Sequence, residues 1–239
     1  MDKFAPGDRE YLGRRKEFAE SIGQPDLFSF VDQFGLYAGV NTIGTKLAVY
    51  EIMKQVINVP GNIAEFGSWK GGNLLFMAKV LQLLQPNTIK RLYAFEGFEG
   101  LQVFDEKDGL NPDEWSGEYQ GDEAVLRKAI DLYQMNEWVH IVKGDAMETI
   151  DAIEKEHPYM MLSMAYVDFD LYKPCKRALE WIAPRLSTGG AIVFDEALSP
   201  LWPGEGLAML EFLQDVSNGH YTMHNISFAR QPTCYIIKQ

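Results

Sequence analysis

A chain of 239 residues with 46% hydrophobic content is long enough for one large domain and has ample material for a core. Its 22 basic and 34 acidic residues leave a formal charge of −12, which repels phosphate backbones and argues against nucleic acid as a partner. Two distant cysteines, no apolar run near 18 residues and no apolar leader argue against a disulfide scaffold, a zinc knuckle, a membrane span and a secretory signal, so a soluble cytoplasmic protein is expected.

In chain order, residues 1–60 read as a helical extension whose densest basic stretch, GRRKEF, is a solvated helix face. Its clearest amphipathic helix is Thr45–Val56. Such an extension would cover substrate or cofactor, or pack against a second copy in a homo-oligomer. Residues 61–239 form the main domain. Strand-like runs at Ile63–Phe66, Arg91–Glu96, Val139–Lys143, Met161–Asp168 and Ala191–Phe194 alternate with helical patterns. The helices are expected at Leu74–Leu84, Glu123–Tyr133, Met147–Glu156, Pro174–Leu186 and Leu207–Ser217. This alternation predicts an α/β fold, a doubly wound and mostly parallel sheet. Lys173-Pro174 would open one helix, and Gly189-Gly190 would stop it before the next strand. The last two runs, His224–Phe228 and Cys234–Ile237, are too close for a crossover helix and predict a C-terminal antiparallel hairpin. The long acidic segment 100–121 predicts a lid, in which Trp115 and Tyr119 either cover a substrate or anchor the loop.

The stretch Asn62–Asn73, NIAEFGSWKGGN, runs from a strand through a glycine turn into a helix, a device that brings backbone N–H groups to a nucleotide-like ligand. Trp69 occupies the second-glycine position of a dinucleotide fingerprint, and no Gly-Lys-Ser/Thr closes a phosphate loop. The turn therefore suits an adenosine ligand without a pyrophosphate, such as S-adenosylmethionine (SAM). Gly67, Ser68, Gly71, Gly72 and Asn73 are its candidate contacts.

Ligands in open α/β sheets sit at the carboxyl ends of the strands. Glu65 would receive the ligand's α-amino group or act as a partner at the helix start. Glu96 would accept two ribose hydroxyls, and Asp145 with Ala146 would meet the adenine or open the next helix. Asp168 and Asp170, two apart in AYVDFDLY, would share a strand face, and Asp195 with Glu196 would end the following strand. Bare carboxylates converging there repel each other unless protons or a cation intervene. An all-oxygen set suits Mg²⁺, then Mn²⁺ or Ca²⁺. The alternative is that Asp168 and Asp195 merely cap helices. Histidines 140, 157, 220 and 224 show no catalytic pattern, and no Ser-His-Asp order is present.

Four segments carry a family resemblance: NTIGTKLAVYEI, EFGSWKGGN, FEGFEGL and VDFDLYKPCKRALEWIAPRLSTGGAIVFDE. Together they resemble the class I SAM-dependent methyltransferases, and within them the metal-dependent macrocin-type sugar O-methyltransferases of natural product biosynthesis. The resemblance implies a Rossmann-like fold and methyl transfer to a hydroxyl of a small, sugar-bearing molecule. It assigns the metal to Asp168, Asp195 and Glu196, and the proton to Asp170 or Asp168. The family shows Asp-Asp-Tyr where this chain has Asp195-Glu196-Ala197, and proline where it has Gln102. A metal-independent methyltransferase and a hydroxylase-like protein of the same fold remain the alternatives.

Overall fold

The computed structural model describes residues 6–216 and 220–239. The first five residues of the predicted extension and Ser217, the predicted end of a helix, lie outside them. Helices α1 (Pro6–Ser21), α2 (Leu27–Val31), α3 (Phe34–Tyr37) and α4 (Val40–Val56) precede strand β1 (Asn62–Phe66). There follow α5 (Gly72–Leu84), β2 (Leu92–Glu96), the short α6 (Pro112–Trp115), α7 (Glu123–Leu132), β3 (Val139–Lys143), α8 (Ala146–Glu156) and β4 (Leu162–Val167). The chain continues through α9 (Tyr172–Ile182), β5 (Leu186–Phe194), α10 (Pro203–Val216), β6 (Tyr221–His224) and β7 (Cys234–Lys238).

The sheet runs β3-β2-β1-β4-β5-β7-β6, with β1 to β5 parallel and β7 antiparallel to both neighbours. Every residue of β4 is buried, as a central strand covered on both faces requires. The pleat divides the core in two. Ala64, Phe66, Ala165, Val167, Ile192 and Phe194 face α8, α9 and α10. Ile63, Met164, Tyr166, Ala191 and Val193 face α4, α5 and α7. Phe66 stacks on Phe95 at 4.7 Å, and both meet the buried Trp181 edge-on. Each such ring is worth roughly 1.5–3 kcal/mol in burial alone.

Three sequence expectations need correction. Gly189-Gly190 do not stop a helix, because α9 already ends at Ile182 and the pair lies inside β5. Between Leu162↔Leu186 and Met164↔Ala191, β5 advances five residues while β4 advances two. Gly189, at φ +81°, takes up that excess in a bulge. Leu186 extends the helical apolar spacing although it already pairs with β4, which is why the predicted helix overran. Second, Asp168 lies just past β4, and Asp170 follows in a left-handed turn at φ +60°, so no strand pleat puts them on one face. Third, the outer strand of the hairpin is Tyr221–His224, not His224–Phe228. It is an exposed edge, so little burial marks its limits in the sequence.

Segment 100–121 is tied down. Asp108, fully buried, accepts N–H groups from Asp105 at 2.6 Å and Tyr172 at 2.7 Å. Trp115 packs edge-on against Trp202 at 5.3 Å.

Candidate active site

The strand order reverses between β1 and β4, and a cleft of about 530 Å³ opens at their carboxyl ends. The turn after β1 passes so close to β4 that a Cβ on Gly67, at φ +88°, would lie 1.9 Å from the Asp168 carbonyl oxygen. The backbone N–H of Asp168 in turn donates to the Phe66 carbonyl at 2.8 Å.

On the β1–β2 side the carboxylates are already bonded. Glu96 takes the N–H groups of Ser68 and Trp69 on one oxygen and of Phe98 on the other, each at 2.7 Å. Trp69 reaches this geometry in a left-handed conformation, φ +47°. Its indole donates to the Gln120 carbonyl at 3.1 Å, clamping the turn to the end of the lid segment. Glu65 is buried beneath the turn and accepts from the Ser68 hydroxyl at 2.5 Å and the Asn73 amide at 3.0 Å. Burial pushes its carboxyl up to about 7, against the pull of those two bonds and of Lys46. Lys46 of α4 donates to Asn73 at 3.3 Å, and burial lowers its ammonium despite Glu65, Asp195 and Asp168 nearby.

The β4–β5 side differs. Burial, then Asp195, Asp170, Glu205 and Glu65 raise the Asp168 carboxyl well above the usual range, and among the described residues no hydrogen-bond donor is found on it. Asp170 is raised to about 8 by burial and by the charges of Asp195 and Glu196. Asp195 is raised to about 6 by burial, opposed by its bonds from the Tyr166 hydroxyl and from Gln231 at 2.9 Å. Gln231 also donates to Glu196, so one amide bridges the acidic pair. Behind them lies Glu205 of α10, wholly buried. One oxygen accepts the Glu196 N–H at 3.0 Å, the other has no partner, and burial holds its carboxyl high.

Of the sequence candidates, Gly67, Glu96, Asp145, Ala146, Asp168, Asp170, Asp195 and Glu196 line the cleft together. Glu65, Ser68, Gly71, Gly72 and Asn73 do not line it, and instead build the turn behind it. Asp145 also caps α8, accepting from Met147 N–H at 2.8 Å. His140 and His157 pack on Tyr93 and His224 on Tyr235, away from the cleft. Sequence reasoning missed Lys46, Tyr166, Trp202, Glu205 and Gln231. Only Glu205 carried a local signal, as a carboxylate set between two glycines at the start of an apolar helix.

Among the described residues, no three His, Cys, Asp or Glu side chains are gathered into a metal cage. The donor chemistry nonetheless suits a hard cation. Among the described residues Asp168 lacks a donor, its neighbours are carboxyl groups, and every candidate ligand is oxygen. Asp168 and Asp195 also stem from paired strand ends, with Asp195 N–H on the Val167 carbonyl at 3.1 Å.

Comparison with known proteins agrees with this architecture. A Streptomyces olivaceus protein, 8-demethyl-8-(2,3-dimethoxy-alpha-L-rhamnosyl)-tetracenomycin-C 4'-O-methyltransferase, is 30% identical over 144 residues, 58% of this chain and 53% of that one. The Streptomyces niveus demethyldecarbamoylnovobiocin O-methyltransferase is 25% identical over 58% of this chain and 53% of its own. The chain thus spans about half the length of the curated relatives it matches. The solved structure of CalS11, a calicheamicin methyltransferase, superposes with a TM-score of 0.78 at 25% identity, covering 99% of this chain and 94% of that one. Its apo form, described as a TDP-rhamnose 3'-O-methyltransferase, gives 0.69 at 25% identity, covering 100% and 96%. The profile of the macrocin-O-methyltransferase (TylF) family matches residues 43–215, and the chain belongs to that family.

Proposed function

We propose that the protein is a SAM-dependent O-methyltransferase acting on a hydroxyl of a sugar or sugar-bearing natural product, with Asp168, Asp195 and Glu196 holding a divalent cation, Mg²⁺ first. The observation that carries the reading is the meeting, in one cleft, of the Glu96-braced glycine turn with the donor-poor Asp168 past β4 and the acidic pair Asp195 and Glu196 past β5. The relatives' names support a sugar acceptor, two of them naming rhamnose.

When bound, SAM supplies an electrophilic methyl group on a sulfonium, and the cation supplies Lewis acidity toward a hydroxyl. The chain does the rest. Glu96 fixes the turn and keeps acceptor capacity for ribose hydroxyls, while Asp145 and Ala146 border the adenine side. The Asp170 carboxylate would accept the proton of the acceptor's hydroxyl, and Asp168 is the alternative base. The lid segment and Trp202 restrict water, and no covalent enzyme intermediate is required.

The test is methyl transfer from labelled SAM to a panel of rhamnosides, with and without EDTA. Turnover that EDTA abolishes and Mg²⁺ restores supports the scheme. A second reading, a metal-independent methyltransferase, is favoured by the Gln231 bridge between Asp195 and Glu196. Full turnover in EDTA would establish it. Absence of SAM binding would remove both, and a hydroxylase-like role would then be the reading to pursue.

A further inference from the structure

Trp69 stands where the glycine turn meets the lid segment. The turn after β1 closes around it, with Gly71 N–H on the Ser68 carbonyl at 2.6 Å. The Trp69 backbone is left-handed, φ +47°. A glycine takes that conformation at no steric cost, whereas a bulky residue stays in it only when its surroundings over-determine it. Burial of the ring is not what holds it, because Trp69 remains 47% exposed.

Its restraints come from two parts of the chain. The backbone N–H donates to Glu96 at 2.7 Å, on the oxygen that also takes Ser68 N–H. The indole N–H donates to the Gln120 carbonyl at 3.1 Å, and the ring meets Tyr119 edge-on at 6.0 Å. Gly121 comes so near that a Cβ on it would lie 2.3 Å from the Trp69 carbonyl oxygen and 2.7 Å from the Phe98 ring. Phe98 is left-handed too, φ +64°, and gives its N–H to the other oxygen of Glu96. The end of the lid segment thus rests on two left-handed residues that one carboxylate fixes. Tyr119 carries the contact on to Trp202 at 5.9 Å, and both rings line the cleft with Trp69.

Resting on the methyltransferase reading above, we propose that Trp69 is a positioning residue that couples the cofactor to the lid. A ribose held by Glu96 fixes the carboxylate on which both left-handed N–H groups depend. That backbone sets the indole against Gln120 and leaves the gap that Gly121 fills. Cofactor binding and lid docking therefore favour each other, and linkage makes the effect reciprocal. A residue that only filled space would tie the lid down equally with and without cofactor.

The test is hydrogen–deuterium exchange of the full chain, read over residues 100–121 with and without S-adenosylhomocysteine, beside calorimetric titration of the same ligand. In the unmodified protein the ligand is expected to slow exchange in that segment at least about fivefold. Trp69→Phe keeps a ring and removes the indole N–H. It is expected to weaken S-adenosylhomocysteine by no more than about tenfold, the scale of one hydrogen bond, while the slowing over 100–121 is lost at saturating ligand. Gly121→Ala leaves Trp69 in place and wedges the lid away from it, with the same loss expected; thermal melting shows which variants are folded. Slowing that survives in either folded variant overturns the proposal, as does exchange in the unmodified lid that bound ligand leaves unchanged. Abolished ligand binding in folded Trp69→Phe overturns it as well, since Trp69 would then be a cofactor contact. Failure of the unmodified protein to bind S-adenosylhomocysteine instead overturns the methyltransferase reading beneath it.

Discussion

The two sides of the cleft treat their carboxylates differently, although Asp195 at the end of β5 is itself bonded by Tyr166 and Gln231. At β1 and β2, Glu65 and Glu96 each accept from neighbouring hydroxyl, amide or backbone donors on both oxygens. Past β4, Asp168 lacks a donor among the described residues and Asp170 is raised by burial and then by its neighbours' charge, while behind them Glu205 of α10 has one oxygen with no partner among the described residues. A bonded carboxylate holds a backbone shape before any ligand arrives. An unbonded one stores repulsion that a proton or a cation relieves. On the proposed reading, the first side is the cradle for SAM and the second is where the chemistry is done.

The comparison breaks most readily at Asp168. Asp168→Asn keeps the shape and removes the charge, and turnover is expected to fall by about 10²–10³ or more, the scale of losing one charge-stabilising group. SAM affinity should change little, because the cradle is intact. A large loss of SAM affinity with turnover retained would reverse the two assignments.

Glu96→Ala probes the other side. It strands three N–H groups, each bonded to a charged acceptor worth roughly 1.5–3 kcal/mol. SAM affinity measured by calorimetry should fall by about 10²-fold, and the chemical-denaturation midpoint should fall as well. An unchanged SAM affinity would show that the turn holds itself.

pH sharpens the contrast without mutation. Asp195, Glu65 and Asp170 are raised to about 6, 7 and 8, above the ordinary carboxyl value near 4 that the unfolded chain shows. The folded state thus holds these protons more tightly. Their contribution is complete at low pH and is lost as pH rises from about 4 through 8. In EDTA, the urea midpoint should be lower at pH 8 than at pH 5, and Mg²⁺ should restore part of it at pH 8. A midpoint that rises between pH 5 and 8 would deny that burial holds these protons in the folded state.

The smallest effect is expected far from both sides. Gly189→Ala places a side chain at φ +81° in the β5 bulge and should cost on the order of 1 kcal/mol, read from the same denaturation curves, with turnover unchanged. A loss of turnover would mean that the bulge sets the position of Asp195 at the far end of β5.

Much was legible in the chain itself because it rests on local periodicity. Apolar runs at β1 to β5, the glycine turn before α5 and an acidic residue in or just past the end of each of these strands spell out a doubly wound sheet. The limits of β6 were not legible, since an exposed edge strand has little burial to mark it. Nor was the placing of Asp170, which reaches the cluster through a left-handed turn and not along a pleat.

Residue types and their spacing thus determined the architecture and named the carboxylates of the cleft. Only the tertiary structure decided which of them are bonded and which are bare. It brought Lys46 from α4, Gln231 from the loop before β7 and Glu205 from α10 together around these carboxylates. The reason is physical: a strand's pattern records which face is buried, whereas a carboxylate's charge state depends on donors and charges that reach it from distant parts of the chain.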